Sequence, residues 1–255
     1  MEQVKVIAIS QARVSSTRLP RKVLLPLGQE TLLGVHLTRL GQAKYIDKCI
    51  VATTSEVESQ AIVRIAESKG ISTFRGSLND VLDRFYQAAL LYQPTHVIRV
   101  TSDCPLIDPE LIDCVVKEAI TGGYDYFANI LVEDFPDGQD VEVFTFKALE
   151  KAWNEATTNA EREHVTPYIR NNSSFKGGSL FKSADYPAPD NFNHVRMTVD
   201  EAIDLEVMQW LVEELGTDKD WLTYTKFMLA NQNQLDNAHI KRNEGFLKSL
   251  KNELE

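Results

Sequence analysis

Between Gln3 and Gln29 there is no acidic residue, although the 255-residue chain carries 37 acids against 27 lysines and arginines, a formal net charge of -10. Cysteine is scarce: Cys49, Cys104 and Cys114 are odd in number and form no Cys-x-x-Cys pair. Neither a disulfide framework nor a zinc knuckle is indicated. No apolar run approaches the roughly 20 residues that span a bilayer. The charged-then-apolar layout of a signal peptide is also missing, because Val4–Ile9 is short and runs into basic residues. The expectation is a reduced, cytoplasmic protein without a membrane partner. The acidic balance argues against a nucleic-acid partner, which would call for a basic face. No Gly-x-x-x-x-Gly-Lys-Ser/Thr loop occurs, and the first glycine after the opening apolar run is Gly28. That excludes a P-loop and a dinucleotide fingerprint.

What the acid-free window does contain is Arg13, Arg18, Arg21 and Lys22, with hydroxyls at Ser15, Ser16 and Thr17. They follow Val4–Ile9, which reads as a first buried strand. Arg presents a planar fork to phosphate oxygens and Lys a point charge. A basic loop at the carboxyl end of a first strand is where open α/β sheets take ligands. The loop therefore points to a polyphosphate, bound by side chains more than by glycine-exposed amides. A solvated basic loop is the plain alternative.

Composition is that of a globular protein, 43% hydrophobic and 25% charged. Strand-like and helix-like segments alternate: Val4–Ile9 strand, Thr31–Ala43 helix, Cys49–Ala52 strand, Glu58–Ser68 helix, Ile71–Phe74 strand, Asp80–Tyr92 helix, Thr95–Val100 strand, Pro109–Ile120 helix. This order predicts a mostly parallel sheet sandwiched by helices, an α/β fold of Rossmann-like type. Further on, Tyr124–Asn129 and Val141–Phe146 read as strands and Lys147–Thr157 and Arg162–Arg170 as helices. Residues 171–193 read as a loop with a short strand near Leu180. His194–Val199 reads as a strand and Glu201–Leu215 as a helix. Residues 1–217 are expected to form the α/β domain, and 218–255 a helical extension packed on or beside it.

Two acids follow strand-like segments. Asp103 comes just after Thr95–Val100, and a carboxylate there can hold Mg²⁺, which commonly bridges substrate phosphates. A turn role is the alternative. Asp200 sits between a strand and a helix, so it is either a helix cap or a second carboxylate on the same sheet edge. Asp108 is better explained as the cap of the helix that opens with Pro109. Cys104 reads as a packed small residue. Arg75, Gly76 and Ser77 end the third strand and either approach a flat base or form a turn with Ser77 or Asn79 as cap. Gln139, Asp140, Arg162 and His164 lie in polar stretches suited to a hydroxylated substrate, or to a turn and a helix start.

The motif Gln11-Ala12-Arg13-x-x-Ser16-Thr17-Arg18-Leu19-Pro20-x-Lys22 resembles the signature loop of the cytidylyltransferases that activate acidic sugars, the 3-deoxy-manno-octulosonate and N-acylneuraminate enzymes. Phe74-Arg75-Gly76, Ser102-Asp103-x-Pro105-Leu106, the stretch from Asp137 to Phe144, the stretch from Glu161 to Tyr168, Thr198-Val199-Asp200-Glu201 and the tail from Asn237 to Gly245 resemble the SpsF-like, spore-coat polysaccharide branch. The resemblance implies a nucleotide-diphospho-sugar transferase-like fold, a homodimer, and CTP and an acidic sugar as partners. It implies that Arg13, Arg18 and Lys22 hold the CTP phosphates, that Gln11, Ala12, Ser16, Thr17 and Asp103 also belong to the nucleotide site, and that Arg75, Gly76 and Ser77 lie near the base. Asp103 and Asp200 would hold Mg²⁺, and Arg18, Lys22 and Asp103 would serve catalysis. Gln139, Asp140, Arg162 and His164 are the candidates for sugar contact. Two positions depart from the pattern: Arg21 stands for the usual Gly before the loop Lys, and Ala202 for a Pro after the second Asp. A glycosyltransferase on a similar fold and a non-catalytic nucleotide-binding protein are the alternatives, although no clear Asp-x-Asp is present at 101–105.

Overall fold

The computed structural model describes residues 3–234 together with Asn237, His239, Ile240 and Arg242. Of the tail motif, Ala238, Lys241, Asn243, Glu244 and Gly245 lie outside the described residues. In chain order the elements are β1 (Val6–Gln11), β2 (Pro26–Leu27), β3 (Glu30–Thr31), α1 (Leu32–Leu40), β4 (Lys48–Thr54), α2 (Gln60–Ser68), β5 (Ser72–Gly76), α3 (Val81–Leu90), β6 (His96–Thr101) and α4 (Pro109–Gly122). They continue with β7 (Tyr126–Ala128), β8 (Glu142–Thr145), α5 (Phe146–Glu155), α6 (Asn159–His164), α7 (Pro167–Asn171), β9 (Ser183–Asp185), α8 (Ala202–Leu215) and α9 (Trp221–Ala230).

Seven strands form one sheet in the order β5-β4-β1-β6-β8-β7-β9. The pairs β5–β4, β4–β1, β1–β6 and β7–β9 are parallel, whereas β8 runs antiparallel to β6 and β7. The expected α/β sandwich is what forms. Period-two alternation along β1 explains the two layers. Ile7 and Ile9 join one core with Leu82, Phe85 and Leu149, while Val6 and Ala8 join another with Leu111, Ile112 and Val115. β1 is central and buried on both faces, so it reads as a continuous apolar run.

Several boundaries moved. Strand β1 continues through Ser10 and Gln11, and β6 through Thr101, because Gln11 pairs with Ala52 on one side and Thr101 on the other. Neighbouring strands satisfy polar backbone here, which an apolar run cannot reveal. The expected helix 162–170 is two helices, α6 and α7, broken at Val165 with φ 71° and restarted by Pro167. The expected strand 194–199 is instead an extended stretch stitched by Met197 N to Asp137 O and Val199 N to Asp103 O. The short strand of the 171–193 region is β9, past Leu180. Helix α9 packs on the body: Tyr224 and Met228 share a core with Met208 and Leu211 of α8. The buried Arg39 donates to the carbonyls of Ile107, Thr217 and Lys219 and so clamps the chain leading into α9.

Candidate active site

A cavity of about 320 Å³ opens at the carboxyl ends of β1 and β6. Gln11, Ala12, Arg13, Ser16, Thr17, Arg18 and Lys22 line it, and so do Asp103 and Asp200. The loop after β1 is shaped by Arg21, a non-glycine residue at φ 59° and ψ 23°. This left-handed conformation is where glycine is free and a side chain is disfavoured, so the usual Gly at this position has a backbone reason. The turn that follows, Lys22–Leu24, aims the Lys22 ammonium inward.

Lys22 Nζ lies 2.9 Å from Asp103 Oδ2 and 2.9 Å from Asp200 Oδ1, and also donates to Val199 O. Arg18 Nη2 reaches Asp200 Oδ1 at 2.9 Å. Burial works against the charge on Lys22, but Asp103 and Asp200 outweigh it and its pKa is raised. Burial likewise works against the Asp103 carboxylate, and the Lys22 charge and hydrogen bond hold its pKa well below the usual range. The second oxygen of Asp200 accepts from Arg196, whose guanidinium also grips Asp204 and Asp137. Asp200 is not the cap of α8, which is Glu201. Two carboxylates converging on one cation are suited to a divalent ion with oxygen preference. Among the described residues no third His, Cys, Asp or Glu completes a metal cluster with them. The pair therefore fits an ion that draws further oxygens from a bound phosphate. Asp103 and Asp200 are the residues that would hold it, and Lys22 now bridges them.

The floor is held by a residue that sequence reasoning overlooked. His36 of α1 is fully buried. Its Nδ1 bonds to Cys104 O and its Nε2 to Ser10 Oγ, each at 2.9 Å. A carbonyl only accepts, so Nδ1 carries the proton. Burial keeps the ring neutral by lowering its pKa. His36 thus ties β1 to the turn that carries Asp103.

The far wall holds Arg99, Glu142, Glu163, His164, Thr166 and Arg170. Arg99 and Glu142 form an ion pair, and Tyr126 Oη donates to Glu142 at 2.5 Å. Val165 is wholly buried at positive φ, an unfavourable conformation for a β-branched residue that turns the chain between His164 and Thr166. Burial, followed by Arg99, pushes the pKa of His164 down to about 4, so the ring is neutral at pH 7.

Five expected site residues are used elsewhere. Arg75 donates to the carbonyls of Thr54, Ser55 and Glu56 and does not line the cavity. Ser77 accepts from Asp80 N, and Asp80, rather than Ser77 or Asn79, caps α3. Gly76 makes room for Arg84: a Cβ there would lie 2.8 Å from Arg84 Cγ. Gln139 is buried and braces two loops, accepting from Asp108 N and donating to Leu106 O. Arg162 is bidentate on Asp80 and donates to Trp153 O. Asp140 and His164 do line the cavity.

Arg84 itself was overlooked. It is 2% exposed and lines the cavity, and its Nε and Nη1 are buried without a hydrogen-bond partner. Burial, followed by the nearby charge of Arg13, lowers its pKa to about 10, still cationic at neutral pH. Unpartnered buried donors are rare and costly, and where they persist a functional role is the first explanation to test. The sequence signal was an arginine on the apolar face of α3, among Val81, Leu82, Phe85 and Ala88.

Known proteins resemble this chain in sequence and fold. The chain is 43% identical over 208 residues to the uncharacterized protein MJ1063 of Methanocaldococcus jannaschii, covering 80% of this chain and 82% of that one. It is 32% identical over 235 residues to spore coat polysaccharide biosynthesis protein SpsF of Bacillus subtilis, covering 89% and 95%. A cytidylyltransferase structure from Leptospira borgpetersenii superposes with a TM-score of 0.87 at 33% identity, covering 94% of this chain and all of that one. The cytidylyltransferase family model matches residues 7–218. That span includes the basic loop and both converging carboxylates, and the protein belongs to the cytidylyltransferase family.

Proposed function

We propose that the protein joins CTP to an acidic sugar, forming a CMP-sugar and pyrophosphate, as a step of surface polysaccharide biosynthesis. One observation carries the reading: Arg18 and Lys22 of the first loop meet Asp103 and Asp200 at one end of the cavity. In the proposed reaction an oxygen of the sugar attacks the α-phosphorus of CTP. A new P–O bond forms, the bond to the β-phosphate breaks, and the sugar hydroxyl gives up its proton. Such chemistry is mostly positioning and charge neutralisation.

Arg13, Ser16 and Thr17 are the proposed holders of the outer phosphates, and Arg18 and Lys22 stabilise the departing pyrophosphate. Arg84 supplies partnerless donors to the nucleotide. Arg99, which is held by Glu142, and Arg170 are the proposed contacts on the far wall for the carboxylate of an acidic sugar. Asp103 and Asp200 are the proposed Mg²⁺ holders, and a bound ion would supply Lewis-acid charge at the α-phosphate. The similarity to SpsF, a spore coat polysaccharide biosynthesis protein, supports a sugar as second substrate.

Pyrophosphate release tests the reading. The four NTPs with Mg²⁺ are crossed with acidic keto-sugars, among them 3-deoxy-manno-octulosonate and N-acetylneuraminate, and with sugar 1-phosphates. Release with CTP and an acidic sugar, abolished by EDTA and restored by Mg²⁺, is expected. Release only with a sugar 1-phosphate would move the protein to the pyrophosphorylases. Silence throughout, with CTP still bound, would favour a glycosyltransferase or a binding protein.

A further inference from the structure

Five acids that line the cavity meet cations, and the one that meets Asp140 comes from the far end of the chain. Asp103 and Asp200 share Lys22, Glu142 pairs with Arg99, and Asp137 pairs with Arg196. Asp140 pairs with Arg242, Nη2 to Oδ1 at 2.5 Å across 102 residues of sequence. The same guanidinium donates through Nη1 to Phe135 O at 2.9 Å. One arm thus holds the carboxylate and the other the backbone of the loop that carries it. Both side chains are largely covered, Arg242 at 10% and Asp140 at 29% exposure. Arg242 lies beyond residues 7–218, the span of the family match. The buried Asn237 from the same segment donates to Asp204 Oδ1, and Asp204 holds Arg196.

We propose that Arg242 is a positioning residue for the acceptor end of the site: it fixes the Asp140 carboxylate so that it receives a hydroxyl of the incoming sugar. The proposal rests on the cytidylyltransferase reading above. Charge supports it. Burial above all, with Glu142 and Asp103, raises the pKa of Asp140, and the Arg242 charge, followed by Arg99, opposes that rise. A carboxylate fixed by a guanidinium and lining a cavity is an acceptor for hydroxyl groups. The fork of Arg matters as well as its charge, because a Lys cannot hold carboxylate and carbonyl in one plane. Arg242 lines no part of the cavity itself and acts through Asp140.

The test is a double-mutant cycle on the full chain, with Arg242→Met, Arg242→Lys, Asp140→Asn and the Arg242→Met/Asp140→Asn pair. Calorimetry with CTP and Mg²⁺ measures nucleotide affinity, and pyrophosphate release measures KM and kcat with whichever acidic sugar the wild type accepts. Expected are CTP affinities within about twofold of wild type and a loss in kcat/KM for the sugar on the order of ten- to a hundredfold, the scale of a misplaced contact. Arg242→Lys should recover part of it, and Arg242→Met should add little in the Asp140→Asn background. An unchanged sugar KM and kcat in Arg242→Met overturns the proposal. So do equal, additive losses in the two backgrounds, or a fall in CTP affinity as large as the fall in sugar kcat/KM. A wild type that releases no pyrophosphate with any sugar overturns the underlying reading and the acceptor role with it. In that case the cycle in thermal unfolding reports an ion pair only.

Discussion

Replacing Arg84 by Met should make the protein more stable and a poorer nucleotide binder. The side chain is 2% exposed, and two of its nitrogens are buried without partners. Leaving buried donors unsatisfied costs on the order of 1–3 kcal/mol, more when the group is charged. Met retains an unbranched apolar stem that packs beside Gly76 and removes the charge. A gain of about 1–3 kcal/mol follows. At about 2–4 °C per kcal/mol for a chain of this size, Tm should rise by roughly 2–12 °C. If those donors serve the nucleotide, their loss removes charge-assisted hydrogen bonds worth about 1.5–3 kcal/mol, a weakening of CTP binding by roughly 10- to 150-fold. Thermal melts without ligand and calorimetry with CTP and Mg²⁺ read the two effects separately. A lower Tm with CTP affinity intact would refute both halves, because Arg84 would then be a satisfied structural residue. The comparison variant is Arg13→Met, an exposed cation that lines the same cavity, which should weaken binding without raising Tm.

Asp103→Asn should lower turnover by on the order of a hundredfold or more while CTP affinity changes little, since the carboxylate is proposed to act on charge that develops during transfer; equal turnover in the variant removes Asp103 from the mechanism. Arg21→Gly should be neutral to stabilising by up to about 1 kcal/mol, because the residue sits at φ 59°, whereas Arg21→Val should destabilise by more than that. Urea unfolding of the pair checks the sign, and a stabilising Val would contradict the left-handed loop. His164 is held neutral, with its pKa lowered to about 4 from 6.5, so the unfolded chain takes up that proton first. Its contribution is complete above about pH 6.5 and is lost as the pH falls toward 4. His164→Gln should therefore flatten the decline of Tm across that window by several degrees, and parallel declines would count against the buried neutral ring.

How much of this was legible in the chain varies by residue. The strand β1, the basic loop after it and the Asp108 cap of α4 were readable because each depends on residues near in sequence: apolar alternation, clustered cations, an acid before a proline. Asp103 and Asp200 could be named as candidates from their places after strand-like segments. That they meet on one ammonium depends on β6 lying beside β1 and on residues 197–199 being stitched to the Asp103 and Asp137 loops, contacts about 60 to 180 positions apart. Arg75, Gln139 and Arg162 carried the right chemistry for a ligand, but tertiary partners already satisfy them. Sequence shows what a side chain can donate, not what it already donates to. Arg84 is the reverse case, a cation whose Nε and Nη1 the fold buries without a hydrogen-bond partner. By itself the sequence determined the layered α/β fold and the clustered cations of its first loop, since local pattern and composition set both. Only the tertiary structure decided which polar groups stay available to a ligand, because availability is what remains after every long-range hydrogen bond and ion pair has formed.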